Sequence, residues 1–500
     1  MKQKTILGIL FLVSAIFIPQ VSRAELLDAT NVLGQSDFIS NTSATTQNGM
    51  NRPYGLALDS THGRLFVADE NNSRVLVYNV SGGVTDNMNA VNVLGQMDFV
   101  TATTGGTQNT MNRPSDVLYD SANNYLYVAD KRNNRVLVFD VASITNGENA
   151  IHVLGQPDFT TVTPGLTQSK VGQTDGLALD ATGERLFVTD YGNGRVLVFD
   201  VSAIVDGEPA MNVLGKPDFV SNTDATTQNG MSYSQDIAFD AERNYLFVTD
   251  ECRVLVFDVS VGTITDGMNA INVLGEANFT DQRCTFSQTN ISYPWGLGYD
   301  SENQHLFVGN EDDYRVQVWD VAEITDGETA LAVLGHANFD DGYEANTTTR
   351  STFNNPVGSV FDYANNRMFL ADKGNNRILV FSPIPYAPIV PEEEVLPEEE
   401  STPEIITDAI DTNSKSYKLY KKYKEYRGTV NKAKYKKVKN LKKNNYTLYL
   451  ALKKTYWKYK YLDKTEFNKL PQETQDNFNK YKKYRLYKKY QTYKEKVFGD

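Results

Sequence analysis

Three aspartates, Asp116, Asp175 and Asp236, and two aromatic residues, Tyr54 and Trp295, have a spacing that suggests a common site. Each stands at the start of a short apolar run, and the runs recur about every 60 residues, so a repeated fold would carry all five to one place. Grouped carboxylate oxygens are the donors that suit Ca2+, and the rings would contact a ligand at the same mouth. The competing reading makes the aspartates turn caps or solvated channel residues. The chain has four histidines: His62 and His305 fall in turns, His152 in a strand and His336 in a long loop, so they do not converge on a softer metal. No glycine-rich phosphate loop, nucleophile elbow or cysteine-rich zinc spacing is present. No catalytic residue and no cofactor are assigned, Ca2+ being the one cation the donor types suit.

The elements that must position these residues are given by a repeat. NVLGQSDF from Asn31 returns as NVLGQMDF, HVLGQPDF, NVLGKPDF, NVLGEANF and AVLGHANF, with Gly34, Gly95, Gly155, Gly215, Gly275 and Gly335 spaced 61 and then 60 apart. Such a period signals stacked or ring-arranged units. Each unit holds four strand-like runs, in the first Tyr54 to Leu58, Arg64 to Ala68, Arg74 to Tyr78 and Ala90 to Leu94. The middle two are apolar without alternation, which requires a sheet buried on both faces. An Asp closes the first run (Asp59, Asp120, Asp180, Asp240, Asp300, Asp362), and an Asp/Asn/Gly-rich turn ending in Arg joins the second to the third. These turn residues read as structural, with pairs such as Asp69 and Arg74 placed to meet across the hairpin.

The pattern P-x-G-L-A-L-D, L-F-V-A-D, N-N-R-V-L-V-F, clearest at 52–78 and 355–381, resembles NHL repeats. That resemblance implies an all-β, six-bladed β-propeller over about residues 30–382. Three departures stand out: the units are long, the turn from Asp250 to Arg253 is two residues short, and Gly309-Asn310 replaces the usual Ala-Asp.

Counting strands leaves the sixth unit without a final NVLG strand, while the first NVLG has no unit ahead of it. Asn31 to Gly34 is therefore expected to complete the last blade and close the ring. Antiparallel order puts the long Thr/Asn/Gln/Gly-rich loops, such as Gln35 to Pro53, on the same face as the Asp/Asn turns. Loops on a rigid frame are where binding resides. Cys252 and Cys284 fall on that face too, and in an exported protein a disulfide between them is expected, worth about 3–4 kcal/mol in the chain-entropy model.

The ends carry different instructions. Residues 1–24 read as a secretory signal peptide cut after Ala24, which makes the protein secreted or envelope-associated. The propeller is expected over 25–382. Residues 383–413 are Pro/Glu-rich without Lys or Arg and read as an extended spacer. Residues 414–500 hold 27 Lys and Arg against 7 Asp and Glu, although the whole chain carries −13. This Lys/Tyr-rich module is read as small and α-helical. Its Lys421, Lys422, Tyr423, Lys436, Lys437, Lys482, Lys483, Tyr484, Lys488 and Lys489 suit an anionic polymer or lipid surface, without sequence-specific nucleic-acid binding. The preferred reading is an exported, non-catalytic propeller that takes a protein, peptide or glycan on its long-loop face. The alternative is a lyase or lactone hydrolase with a divalent metal at the channel mouth.

Overall fold

The computed structural model describes residues 27–180, 184–340 and 347–385, together with the single positions Gln475 and Asn479. The chain divides into two compact units, Met1–Ile389 and Val390–Asp500. In the second, both described positions are α-helical. The polyanion-binding candidates of the tail lie outside the described residues, as do the signal peptide and the spacer beyond residue 385.

Six four-stranded antiparallel sheets make up the first unit. Blade 1 runs, from the inside outwards, through Pro53–Asp59, Arg64–Asp69, Arg74–Asn79 and Asn92–Leu94. Blades 2 to 5 repeat the order, with inner strands Pro114–Asp120, Thr174–Leu179, Ile237–Asp240 and Pro294–Asp300. Blade 6 uses Pro356–Asp362, Arg367–Asp372 and Arg377–Phe381, and borrows its outer strand from Asn31–Leu33. Asn31 pairs with Val380, Val32 with Leu379 and Leu33 with Ile378. The N-terminal strand thus closes the ring. The outer strands are shorter than the sequence suggests: blade 1's begins at Asn92, not Ala90. His305 opens the second strand of blade 5 and is buried there, so it is a strand residue and not a turn residue.

The unbroken apolar strands follow from packing between blades. Leu65 and Val67 face blade 6 and share a core with Phe369 and Val380, while Phe66 and Ala68, on the other face, pack with Val117 and Val128 of blade 2. Successive side chains alternate between the two faces, and both faces meet a neighbour. Each buried Leu, Val or Phe is worth about 1.5–3 kcal/mol.

The polar residues of the repeat hold the loops to this frame. Asp190 accepts from the Arg195 Nε at 2.8 Å and from the Gly172 amide at 2.7 Å, while the same guanidinium donates to the carbonyls of Phe219, Thr167 and Lys170. One buried arginine therefore ties the hairpin turn to two long loops. Blades 1, 2, 4 and 6 repeat the Asp–Arg pair. In blade 5 Asn310 stands in for the Asp and bonds Gln317 instead.

NVLGQSDF is intelligible in these terms. Leu33 ends the strand, and Gly34 turns with φ +86° against the Asn376 carbonyl, where a Cβ would come within 2.9 Å. Gln35 donates to the carbonyls of Thr42 and Asn376, Asp37 caps the amides of Ile39 and Ser40, and the Phe38 carbonyl receives Arg377.

On the opposite face blades 1 to 5 each clasp the preceding blade. Asp86, Asn146, Asp206, Asp266 and Asp326 accept the first backbone amide inside the preceding outer strand, and all five also meet the side chain of its Asn or His. Blade 6 leaves its third strand at Phe381, and the outer strand of blade 5 begins with Ala332 where the others have Asn or His. Ala29, Ala332, Phe381 and Ile384 share the apolar core at that seam.

Cys252 and Cys284 form a disulfide, their Cα atoms 4.9 Å apart. It joins the shortened turn of blade 4 to the following long loop.

Candidate functional site

The loop face carries two concentric sets of residues around the channel. The inner set stands at the second position of the inner strands, Tyr54, Ser115, Asp175, Trp295 and Val357, and in blade 4 at Gln235, two residues ahead of its shorter strand. Above it lies the residue that follows the turn Asp or Asn in each blade: Glu70, Lys131, Tyr191, Glu251, Glu311 and Lys373.

These two sets interlock and fill the mouth. The Lys131 Nζ donates to both carboxylate oxygens of Asp175 at 2.7 and 2.9 Å and lies 5.3–5.9 Å from the rings of Tyr191, Tyr54 and Trp295. The Lys373 Nζ sits 4.4 Å from the Tyr54 ring centre and 4.5 Å from that of Trp295, with Glu311 at 3.7 Å and Glu70 at 3.9 Å. Arg52 approaches the same two glutamates from above. The Tyr54 hydroxyl donates to the Trp295 carbonyl across blade 6. Burial dominates the electrostatics at Lys373 and Glu311 alike. It holds Lys373 down to about 8 against the pull of Glu70 and Glu311, and it pushes Glu311 up against the pull of Lys373.

The three sequence-selected aspartates separate here. Asp175 shares the register of Tyr54 and Trp295 and is committed to Lys131. Asp116 and Asp236 lie one residue later, and a shift of one turns a strand side chain to the other face. Asp116 accepts from the amides of Val117 and of Leu177 in the next blade, both at 2.8 Å. Asp236 accepts from Ile237 at 2.8 Å and from Leu297 in the next blade at 2.6 Å. They bridge neighbouring inner strands, and the space for Asp116 exists because its neighbour on blade 1 is Gly55, where a Cβ would overlap the Asp116 carboxylate. Desolvation raises both groups, Asp236 to about 7, despite the amide donors. Among the described residues no group of three or more His, Cys, Asp or Glu side chains is arranged to hold a metal ion.

A third set forms a collar on the rim, from the residue just before the inner strand in five blades, Arg52, Arg113, Gln173, Tyr293 and Asn355, and from the equivalent Tyr233 ahead of the shorter strand of blade 4. Five of these, all but Tyr233, hold a left-handed backbone with φ between +46° and +61°, a conformation that costs a non-glycine residue energy and clusters where chains bind ligands. The preceding blade's turn holds them: the amides of Arg52, Gln173 and Arg113 donate to Asn376, Asn134 and Ser73 side chains. Tyr233 and Tyr293 are exposed by 45% and 40%, and the Tyr191 and Tyr233 rings lie 5.8 Å apart.

Tyr54 and Trp295 fall where their spacing places them. The lysines and glutamates were hidden because they stand inside turns whose Asp, Asn and Gly content already accounts for them as structure. The usable signal is variation: the position after the turn Asp or Asn carries Glu, Lys or Tyr, whereas the Asp or Asn before it and the Arg that ends the turn keep their type.

An all-β ring of six four-stranded blades is a β-propeller. A family model described as "NHL repeat" matches residues 50–78. NHL repeat-containing protein 2 of Homo sapiens is 32% identical over 164 residues, 31% of this chain and 21% of that protein. Its Bos taurus counterpart is 29% identical over 168 residues with the same coverage. The chain thus spans about a fifth of the length of these curated relatives. Two solved structures from Bacteroides thetaiotaomicron VPI-5482 also match: a structural genomics protein of unknown function, 14% identical with TM-score 0.44 over 72% of this chain and 76% of that one, and an auxiliary nutrient binding protein, 12% identical with TM-score 0.43 over 69% and 75%. The NHL match falls in blade 1, and the six-bladed ring agrees with an NHL-type propeller.

Proposed function

We propose that this chain is an exported binding or scaffolding protein without catalytic activity, that its propeller takes a protein, peptide or glycan on the loop face, and that the basic tail attaches it to an anionic envelope or matrix component. The observation that carries the reading is the filled mouth beneath an exposed, rigidly held collar. Lys131, Lys373, Tyr54 and Trp295 occupy the place where a propeller enzyme would keep a cavity, whereas the buried Asp–Arg pairs fix the surrounding loops. A surface of this kind recognises shape and charge across its rim. The carboxylates that suited Ca2+ in the sequence are occupied with Lys131 and backbone amides.

Photo-reactive residues at Val100 and Val220, exposed on the loop face, should cross-link a ligand from the exported fraction, and the same residues at Val205 and Val261 on the opposite face should not. Equal capture from both faces removes the assignment of the binding face. Metal analysis of the purified propeller tests the enzymatic alternative, which stoichiometric, tightly held metal would favour.

A further inference from the structure

The collar is electrically and chemically divided. On blade 2, Arg113 and Arg132 are both exposed, and their backbones touch where the Arg132 amide donates to the Asn112 carbonyl at 3.0 Å. Neither guanidinium makes an ion pair or hydrogen bond among the described residues, unlike the buried arginines of the hairpins, each tied to a turn residue and a loop carbonyl. Two such forks on adjoining segments offer up to ten N–H donors on a propeller that is otherwise acidic. Blades 3 to 5 present the Tyr191–Tyr233 ring pair, Tyr293 and the partly exposed Trp295. Across the ring from blade 2, exposed Asp312 and half-buried Glu251 give the far rim the opposite sign.

From this arrangement we infer that Arg113 and Arg132 form a carboxylate-recognition site for a peptide segment, with an acidic side chain on the arginines and an aromatic or aliphatic side chain on the tyrosine arc. The inference rests on the loop-face reading above and names its ligand chemistry. Guanidinium binds carboxylate through paired, charge-assisted hydrogen bonds, and tyrosines supply rigid apolar area with little entropy to lose. The acidic far rim argues against a polyanion. A uronate polymer or a nucleic acid would carry like charge past Asp312 and Glu251, whereas a peptide with one carboxylate beside an apolar residue would not. The left-handed backbone of Arg113, at φ +55°, fixes where its side chain leaves the collar.

The test uses the full chain and an array of synthetic octapeptides carrying one phenylalanine and one glutamate at every relative spacing, beside the same array with glutamine for glutamate. Polygalacturonate and poly(U) RNA serve as polyanion probes. Glutamate peptides at one preferred spacing are expected to bind at least tenfold more tightly than their glutamine counterparts. That preference should vanish in the Arg113→Glu/Arg132→Glu double variant, whose changed side chains are exposed, and overall binding should weaken in Tyr233→Ala. Equal binding of both arrays, unchanged binding by the double variant, tighter binding of either polyanion, or no binding by any peptide each overturns the inference. Loop-face cross-linking that survives the double variant would discard the arginine assignment alone and leave the proposed binding face standing.

Discussion

The buried arginine of each hairpin is the residue with most to lose. Arg195→Leu leaves the Asp190 carboxylate buried without its cation and strips three loop carbonyls of their donor. The expected cost is about 3–5 kcal/mol, read as a fall in the urea midpoint. Arg195→Lys should recover less than half of it, because one ammonium cannot span the fork. Recovery to wild-type stability would mean that charge alone matters. Asp236 gives the second residue-scale expectation. Its carboxyl titrates near 7 in the fold and near the ordinary value of 3.8 unfolded, so the folded state holds the extra proton between these pH values. The stability it contributes is therefore complete below about pH 4 and lost as pH rises through about 7. A carbon-13 carboxyl titration should find Asp236 moving between pH 6 and 8, and a midpoint below 5 would contradict this. At this scale the structural aspartates and arginines were legible, because a role that recurs in each blade recurs in the sequence. The division of Asp116 and Asp236 from Asp175 was legible too, in their one-residue offset from Tyr54 and Trp295, but only with the copies aligned to the residue. The plugging of the mouth by lysine was not, since nothing local says that the side chain after a turn aspartate leans inwards.

The element that escaped the sequence is the clasp on the opposite face. Its Asp or Asn sits in an ordinary-looking turn 53 or 54 residues from the strand amide it serves, and only the ring brings the two together. Asp206→Ala removes the acceptor for the Val153 amide and the partner of His152. The expected loss is about 1 kcal/mol, a net hydrogen bond's worth at a partly exposed site, measured by chemical denaturation and matched by faster amide exchange at Val153. Unchanged exchange there would deny the clasp its role.

At the scale of the whole ring, the count of strands in the sequence already demanded closure by Asn31–Leu33, and the pairing with Ile378–Val380 is the outcome. Removing residues 25–36 should strip blade 6 of its outer strand, uncover Leu379 and Val380, and replace one sharp calorimetric transition by a broad one at lower temperature. Cutting the chain after residue 385 should leave the transition where it was. A clipped ring that melts like the intact one would refute the closing role. The closing strand also governs time. Every other blade is assembled from one stretch of neighbouring residues, whereas this one waits for partners about 350 positions away, such as Thr30 and Val380. Loop closure over that distance is costly, and contacts remote in sequence slow folding. Five blades can thus stand before the sixth is complete, and the ring ought to pass through an open, C-shaped intermediate with one bare edge. A circular permutant that begins at blade 6's inner strand and carries Asn31–Leu33 directly after Phe381 makes all six blades local. It should refold several-fold faster with little change in stability, and an unaltered rate would show that joining the ends is not the slow step.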